Sequence, residues 1–244
     1  MNASSATPAG PSRDGAPGMF NRIAHRYDFL NRMLSCGQDV RWRKRLARHF
    51  PDGTNLSVLD VATGTGDVLL MLHGFGRIGR GVGIDMAEKM LDIGRAKIRA
   101  RGLQETFTLK TGDAAQIPET DGTYDVVTIA FGIRNVGNTA TGLAELHRVL
   151  KPNGRALILE FSLPANPAMR KLYLFYFRHI LPLVGGLISG DSYAYRYLNQ
   201  TVETFPYGDA FLDLMRNAGF KNVSADPLTC GIAAIYRGEK PDDR

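Results

Sequence analysis

From residue 57 onward, short β-branched runs alternate with helical segments, which predicts an α/β chain built on a doubly wound, mostly parallel sheet. Two further observations refine this. The first run enters a loop of small residues, Thr63-Gly64-Thr65-Gly66, that opens a helix. The last two runs follow one another with no helix between them, which predicts a C-terminal antiparallel hairpin.

With 244 residues, 44% of them hydrophobic and 22% charged, the chain has the size and composition of one large domain, and wholesale disorder, collagen and coiled coil are excluded. Cys36 and Cys230 make no disulfide framework, and no short C-x-x-C spacing occurs, so a reducing compartment and no metal site are expected. A net charge of +6 invites a polyanionic partner. Residues 19–49, however, hold eight basic side chains against Asp28 and Asp39, so the entire excess is local to that segment.

Residues 1–18 lack the basic start and apolar run of a signal peptide and read as a disordered tail ahead of a single domain, 19–244. Within 19–50, Phe20, Ile23, Tyr27, Leu30, Met33 and Leu34 recur at helical spacing. Trp42, Leu46 and Phe50 do so again after Ser35-Cys36-Gly37, giving two N-terminal helices. Strands are expected at 57–62, 81–85, 106–111, 124–130 and 155–161, with helices near 68–75, 87–101 and 140–150. The last of these helices meets Lys151-Pro152-Asn153-Gly154, where Pro stops a helix and Asn or Gly accepts a left-handed turn.

Residues 166–205 then break the rhythm with an aromatic insertion carrying Tyr173, Phe175, Tyr176, Phe177, Tyr193, Tyr195, Tyr197 and Phe205. An amphipathic helix at 209–218 and strands at 222–225 and 231–236 close the chain. The longest apolar stretch, 180–188, is broken by Pro182 and Gly185-Gly186 and falls far short of the ~18–20 residues of a membrane span.

Gly64 and Gly66 allow a ligand to approach the backbone closely at a helix N-terminus. A dinucleotide fingerprint needs a third glycine where Leu69 stands, and Asp67 would repel a pyrophosphate. A ligand without phosphates fits better, and S-adenosylmethionine is one, with cationic sulfonium and amino groups, ribose hydroxyls and an adenine amine. Asp60 in the first strand, Asp85 at the end of the second and Asp113 at the end of the third stand toward one sheet edge. Asp85 suits the ribose and Asp113 the adenine amine, although an Asp at such a position also serves as an ordinary helix N-cap.

These motifs resemble the class I methyltransferases, and within them the menaquinone and ubiquinone C-methyltransferase family, over about residues 20–238. Tyr27-Asp28-Phe29-Leu30-Asn31-Arg32-Met33-Leu34-Ser35 through Arg41-Trp42 is similar to the family's first signature, with Leu30 and Asp39 in place of the usual Met and His. The second runs from Arg148 through Pro152 and Glu160 to Ser162, with Asn153 where Gly is usual. Phe131-Gly132-Ile133-Arg134-Asn135 is the most distinctive string, and Tyr195-Arg196-Tyr197-Leu198 is also family-like.

The resemblance implies a class I methyltransferase fold and S-adenosylmethionine contacts at Thr65, Asp85, Asp113 and Ala114 beside Gly64, Gly66 and Asp60. Ala130 stands where some members have a serine. It also implies C-methylation of a polyprenylated demethylmenaquinol to menaquinol, or of a benzoquinol in ubiquinone synthesis. Arg134 and Asn135 are the catalytic candidates. Arg134 would stabilise a developing oxyanion or polarise a water, because a guanidinium with pKa above ~12 is a poor base, and Asn135 would orient a quinol oxygen.

The insertion, especially 169–188, would line or lid the substrate pocket, or form ordinary core. His179 is a minor candidate base. The expected partners are a prenylated quinol and, through the basic N-terminal helices, an anionic bilayer surface. Nucleic acid is not expected, homo-oligomerisation stays open, and the location is cytoplasmic with peripheral contact at the inner membrane face.

Overall fold

A computed structural model describes residues 15–183 and 192–242. The chain starts with α1 (Ala16–Leu34), which has a proline in its first turn, where the missing N–H costs nothing. Ala16 is buried, so this helix begins inside the stretch expected as tail; residues 1–14 lie outside the described residues. Gly37, at φ 73°, turns the chain into α2 (Gln38–Leu46).

The sheet consists of β1 (Leu56–Val61), β2 (Ile78–Asp85), β3 (Phe107–Thr111), β4 (Tyr124–Ala130), β5 (Leu150–Phe161), β6 (Lys221–Leu228) and β7 (Ala233–Glu239), in the spatial order β3-β2-β1-β4-β5-β7-β6. The first five strands pair in parallel, and β7 pairs antiparallel with both β5 and β6. The C-terminal hairpin thus inserts its second strand between the first strand of the hairpin and the parallel sheet.

Crossovers run through α3 (Asp67–His73), α4 (Glu88–Ala100) and α5 (Thr139–Val149). Leu59, Val61, Val127 and Ile129 pack with Leu143 and Leu146 of α5 and with Phe211 and Met215 of a later helix, α8 (Asp209–Asn217). Val58, Val126 and Leu157 face the other way, onto Trp42, Leu46, Leu69, Leu72 and Leu91. Both faces of the strands are therefore covered, which is why their sequences read as continuous apolar runs.

The turn expected at 151–154 is an irregularity inside β5, where the register against β4 shifts and Asn153 takes a left-handed φ of 61°. The aromatic insertion forms α6 (Pro167–Phe175), capped by the Asn166 side chain, then a wider helical turn at Tyr176–Ile180, and α7 (Ser192–Thr204). Leu163, Tyr173, Phe177, Leu181 and Val202 make its small core. Strand order reverses between β1 and β4, and at the carboxyl ends of such strands a crevice opens.

Candidate active site

At that crevice two non-glycine residues hold left-handed backbone, Ala62 after β1 (φ 51°) and Phe131 after β4 (φ 59°). Such strain persists only where the surroundings over-determine it, and it marks functional sites. Gly132 is required by close approach, since a Cβ there would lie 2.5 Å from that of Ala62. Two cavities adjoin here. One of about 260 Å³ is bounded by Gly64, Asp85, Asp113, Ala114, Ala130 and Asn135. The other, about 320 Å³, is walled by aromatic and aliphatic side chains together with Arg43 and Arg134. Phe20, Tyr27 and Phe131 belong to both.

Four of the predicted cofactor residues, Gly64, Asp85, Asp113 and Ala114, meet in the smaller cavity. Asp85 accepts from the Gly64 and Ala87 backbone N–H groups, each at 2.8 Å. Burial pushes its carboxyl upward, and those N–H groups oppose the shift. Asp113 accepts from the Ala115 N–H at 2.9 Å, so it does form a local turn as well as facing the cavity.

Three predicted residues do not reach it. Asp60 is fully buried, with one oxygen taken by the Thr63 hydroxyl and the other by that of Thr128, both at 2.6 Å. Burial pushes its pKa to about 6, and its role is to tie the loop to β4. The Thr65 hydroxyl turns away to donate to Asp28 at 2.8 Å and to accept from Lys97 Nζ at 2.8 Å. Gly66, at φ 74°, supplies the turn into α3 without lining the cavity.

Lys97 also bonds Asp28 (2.5 Å) and Asp67 (2.6 Å), and Arg32 pairs with Asp67 (3.2 Å). Although burial works against the charge of Asp67, Lys97 holds its carboxyl below the usual range. Helices α1 and α4 thus clamp the glycine loop from behind through an ionic network, which sequence periodicity gives no sign of.

The two catalytic candidates separate. Arg134, in the short turn Ile133–Asn135, faces the larger cavity. Its Nη1 donates to Glu160 Oε1 (2.7 Å) and to the Phe131 carbonyl (2.6 Å), and its guanidinium lies 5.3 Å from the Phe161 ring centre. Glu160 has no exposed surface. Burial pushes its carboxyl up, while Arg134 and the Phe161 N–H pull it down. Asn135 instead faces the smaller cavity, its Oδ1 accepting from the Tyr197 hydroxyl at 3.2 Å. Asn135 and Arg134 thus stand in different cavities on either side of Phe131.

Arg43, expected among the basic side chains offered to a membrane, is 6% exposed, pairs with buried Asp39 and sits 5.4 Å from the Phe131 ring centre. Arg45 pairs with Asp226 at 3.0 Å. Arg41, Lys44 and Arg48 remain exposed. The i to i+4 spacing of Asp39 and Arg43 was the available signal that part of the basic cluster is internal. From the insertion, Tyr173, Tyr176, Phe177 and Leu181 line the larger cavity, and Tyr173, Phe177 and Leu181 are also core, so lining and packing coincide. Residues 184–188 of that segment lie outside the described residues. His179 is exposed against Phe175 (5.2 Å) and is not at the cavity. Among the described residues no cluster of His, Cys, Asp or Glu could hold a metal ion, and no helix is long and apolar enough to cross a membrane.

Comparison with known proteins agrees with this geometry. The model of the ubiE/COQ5 methyltransferase family matches residues 12–240. A demethylmenaquinone methyltransferase from Thermus thermophilus is 47% identical over 223 residues, covering 91% of this chain and 100% of the relative. A ubiquinone/menaquinone biosynthesis C-methyltransferase from Geotalea uraniireducens is 45% identical, covering 91% and 94%. Among solved structures, a SAM-dependent methyltransferase from Thermotoga maritima superposes with a TM-score of 0.64 at 18% identity, covering 91% of this chain and 99% of that one. Fold, paired cavities and sequence similarity over nearly the whole length agree: the chain belongs to the ubiE/COQ5 methyltransferase family.

Proposed function

We propose that this chain transfers a methyl group from S-adenosylmethionine to a ring carbon of a polyprenylated demethylmenaquinol, forming menaquinol. The observation that carries the reading is the pair of cavities that meet at Tyr27 and Phe131, one rimmed by carboxylates and the other apolar with a buried guanidinium. The smaller cavity suits a phosphate-free cofactor: Asp85 can accept from ribose hydroxyls, Asp113 from an adenine amine, and Ala114 and Ala130 leave room for a flat base. S-adenosylmethionine, when bound, supplies an electrophilic methyl group on a sulfonium.

The remaining chemistry falls to the chain's own side chains. A quinol carbon is a weak nucleophile until an adjacent hydroxyl loses its proton. The carbon–methyl bond would then form as the methyl carbon–sulfur bond of the sulfonium breaks, leaving a neutral thioether, and the ring hydrogen leaves as a proton to restore aromaticity. Arg134 is fixed in place by its ion pair with Glu160, and a guanidinium is a poor base, so it acts as a hydrogen-bond donor to the developing oxyanion. Phe131 and Phe161, with centres 4.6 Å apart, form a wall against which a fused ring can lie flat.

The direct test incubates purified protein with S-adenosylmethionine and a reduced, short-tailed demethylmenaquinol and analyses the product by mass spectrometry. A product one methylene heavier is expected, and its absence refutes the reading. The same assay with a demethylated benzoquinol ranks the two head groups.

A prenylated substrate resides in a bilayer, and the insertion offers the surface to meet it from the cytoplasmic side. Leu172, Phe175, Ile180 and Leu183 are 64%, 58%, 41% and 68% exposed, while the opposite face of the same segment, Tyr173, Phe177 and Leu181, lines the apolar cavity. Exposed Arg41 and Lys44 add attraction to anionic headgroups. Replacing Leu172 and Phe175 by Glu should abolish flotation with anionic vesicles. Undiminished flotation would rule out this docking face.

A further inference from the structure

Two residues that line the larger cavity each carry a buried donor left unpaired among the described residues. Arg134 is 5% exposed and Tyr173 8%, and among the described residues neither the Arg134 Nε nor the Tyr173 hydroxyl has a hydrogen-bond partner. Both residues line the same cavity, and the phenol lies within the field of the Arg134 guanidinium. Buried polar atoms are almost always paired, so two unpaired donors on residues that line one cavity point to a missing acceptor. We propose that Tyr173 is a further catalytic residue, its hydroxyl and the Arg134 Nε together receiving the ring oxygen next to the carbon that is methylated. This rests on the quinol reading above and assigns it a residue of the insertion.

The donor geometry is prepared before any substrate arrives. Arg134 Nη1 is already engaged by Glu160 and the Phe131 carbonyl, which fixes the guanidinium plane while the buried Nε–H stays unpaired among the described residues. The Tyr173 ring is held by stacking on Phe177, with centres 5.2 Å apart and planes at 24°, and by the small core of the insertion. Burial also pushes the phenol up, so it keeps its proton and remains a donor. The Arg134 Nε can be satisfied only by an acceptor, and with the Tyr173 hydroxyl donating to the same oxygen an anion is favoured over a neutral hydroxyl. The pair therefore favours the ionised quinol, in which charge reaches the ring carbon, over the neutral one. In that step the hydroxyl proton leaves to water, and the oxygen stays between the two donors while the carbon takes the methyl group, the methyl carbon–sulfur bond breaks to leave a neutral thioether, and the ring hydrogen is lost as a proton to water.

The test is Tyr173→Phe, which keeps the ring stack and removes one donor. Loss of a prepared oxyanion donor lowers kcat by about 100-fold, while the affinity for S-adenosylmethionine and the quinol KM change little. A second readout uses 4-nitro-1-naphthol, whose neutral and ionised forms absorb differently. The wild-type cavity should hold it mostly as the naphtholate, and the variant should move the bound ionisation constant about tenfold toward the neutral form. Unchanged kcat together with unchanged bound ionisation overturns the proposal.

If the phenylalanine variant folds poorly, 3-fluorotyrosine at position 173 preserves shape while making the phenol more acidic. Arg134, Glu160, Tyr176 and Glu203 are the charged or titratable groups whose fields reach it. As the stronger donor, the fluorinated phenol should move the bound naphthol's ionisation constant further toward the naphtholate, and an unmoved constant also overturns the proposal. A wild-type protein that methylates no quinol yet binds the naphtholate in a Tyr173-dependent way would sink the quinol reading alone. A wild-type protein that methylates the quinol as fast as Tyr173→Phe would sink the Tyr173 role alone.

Discussion

Replacing Arg134 by Met should damage stability and catalysis together, and restoring charge balance at Glu160 should repair only the first. Met retains much of the stem that packs by Phe161, but Glu160 is left with no exposed surface and no cation, and the Phe131 carbonyl loses its side-chain donor. Removing one partner of a buried pair costs about 3–5 kcal/mol, a large part of a typical total of about 5–15 kcal/mol. The loss must depend on pH. The Glu160 carboxyl is already raised by burial, and removal of Arg134 takes away its main opposing influence. A raised folded-state carboxyl contributes stability that is present below its unfolded pKa and lost as pH rises through the folded one. Arg134→Met should therefore be least stable at mildly alkaline pH and recover toward about pH 4–5.

The double variant Arg134→Met/Glu160→Gln removes the stranded charge and should return to within about 1–2 kcal/mol of wild type with little pH dependence, yet remain inactive. Urea denaturation followed through Trp42, the chain's single tryptophan, reports on this region directly, because its ring centre lies 6.1 Å from that of Phe131. A single variant that loses less than about 1 kcal/mol, or a double variant no more stable than the single, would refute the assignment of Arg134–Glu160 as a buried pair.

Two further outcomes follow from the same site. Asp60 rises from 3.8 to about 6 on folding, so it should cost wild type on the order of 3 kcal/mol as pH rises from about 4 to 7. Asp60→Asn should flatten that part of the stability profile, and parallel urea midpoints for the two proteins across the range would contradict it. Asp85→Asn should weaken S-adenosylmethionine binding by about 10- to 100-fold in calorimetry without lowering the thermal midpoint comparably, and unchanged affinity would remove Asp85 from the cofactor contacts.

The N-terminal charge shows where sequence reading stops. Arg41, Arg43, Lys44 and Arg45 are equivalent letters in one basic run, yet the rotation of α2 against the sheet buries Arg43 beside Asp39 and Phe131, pairs Arg45 with Asp226 and leaves Arg41 and Lys44 outside. The same holds for Asp60 and Thr65. Both sit in a recognisable motif, but whether a side chain faces the ligand or the packing behind it depends on Thr128, Asp28 and Lys97, all at least 32 residues distant in sequence.

Local chemistry was sufficient for the strands, the helices between them, the left-handed turn at Asn153 and the convergence of Gly64, Asp85 and Asp113. Each depends on neighbours within a few residues and on the rule that parallel strands end at one edge. Only the tertiary structure decided that Arg134 and Asn135 face different cavities, that Glu160 holds Arg134, and that Tyr173 of the insertion lines the same cavity as Arg134. Those facts belong to contacts between elements far apart in the chain, where side-chain direction is set by packing and charge compensation and not by propensity.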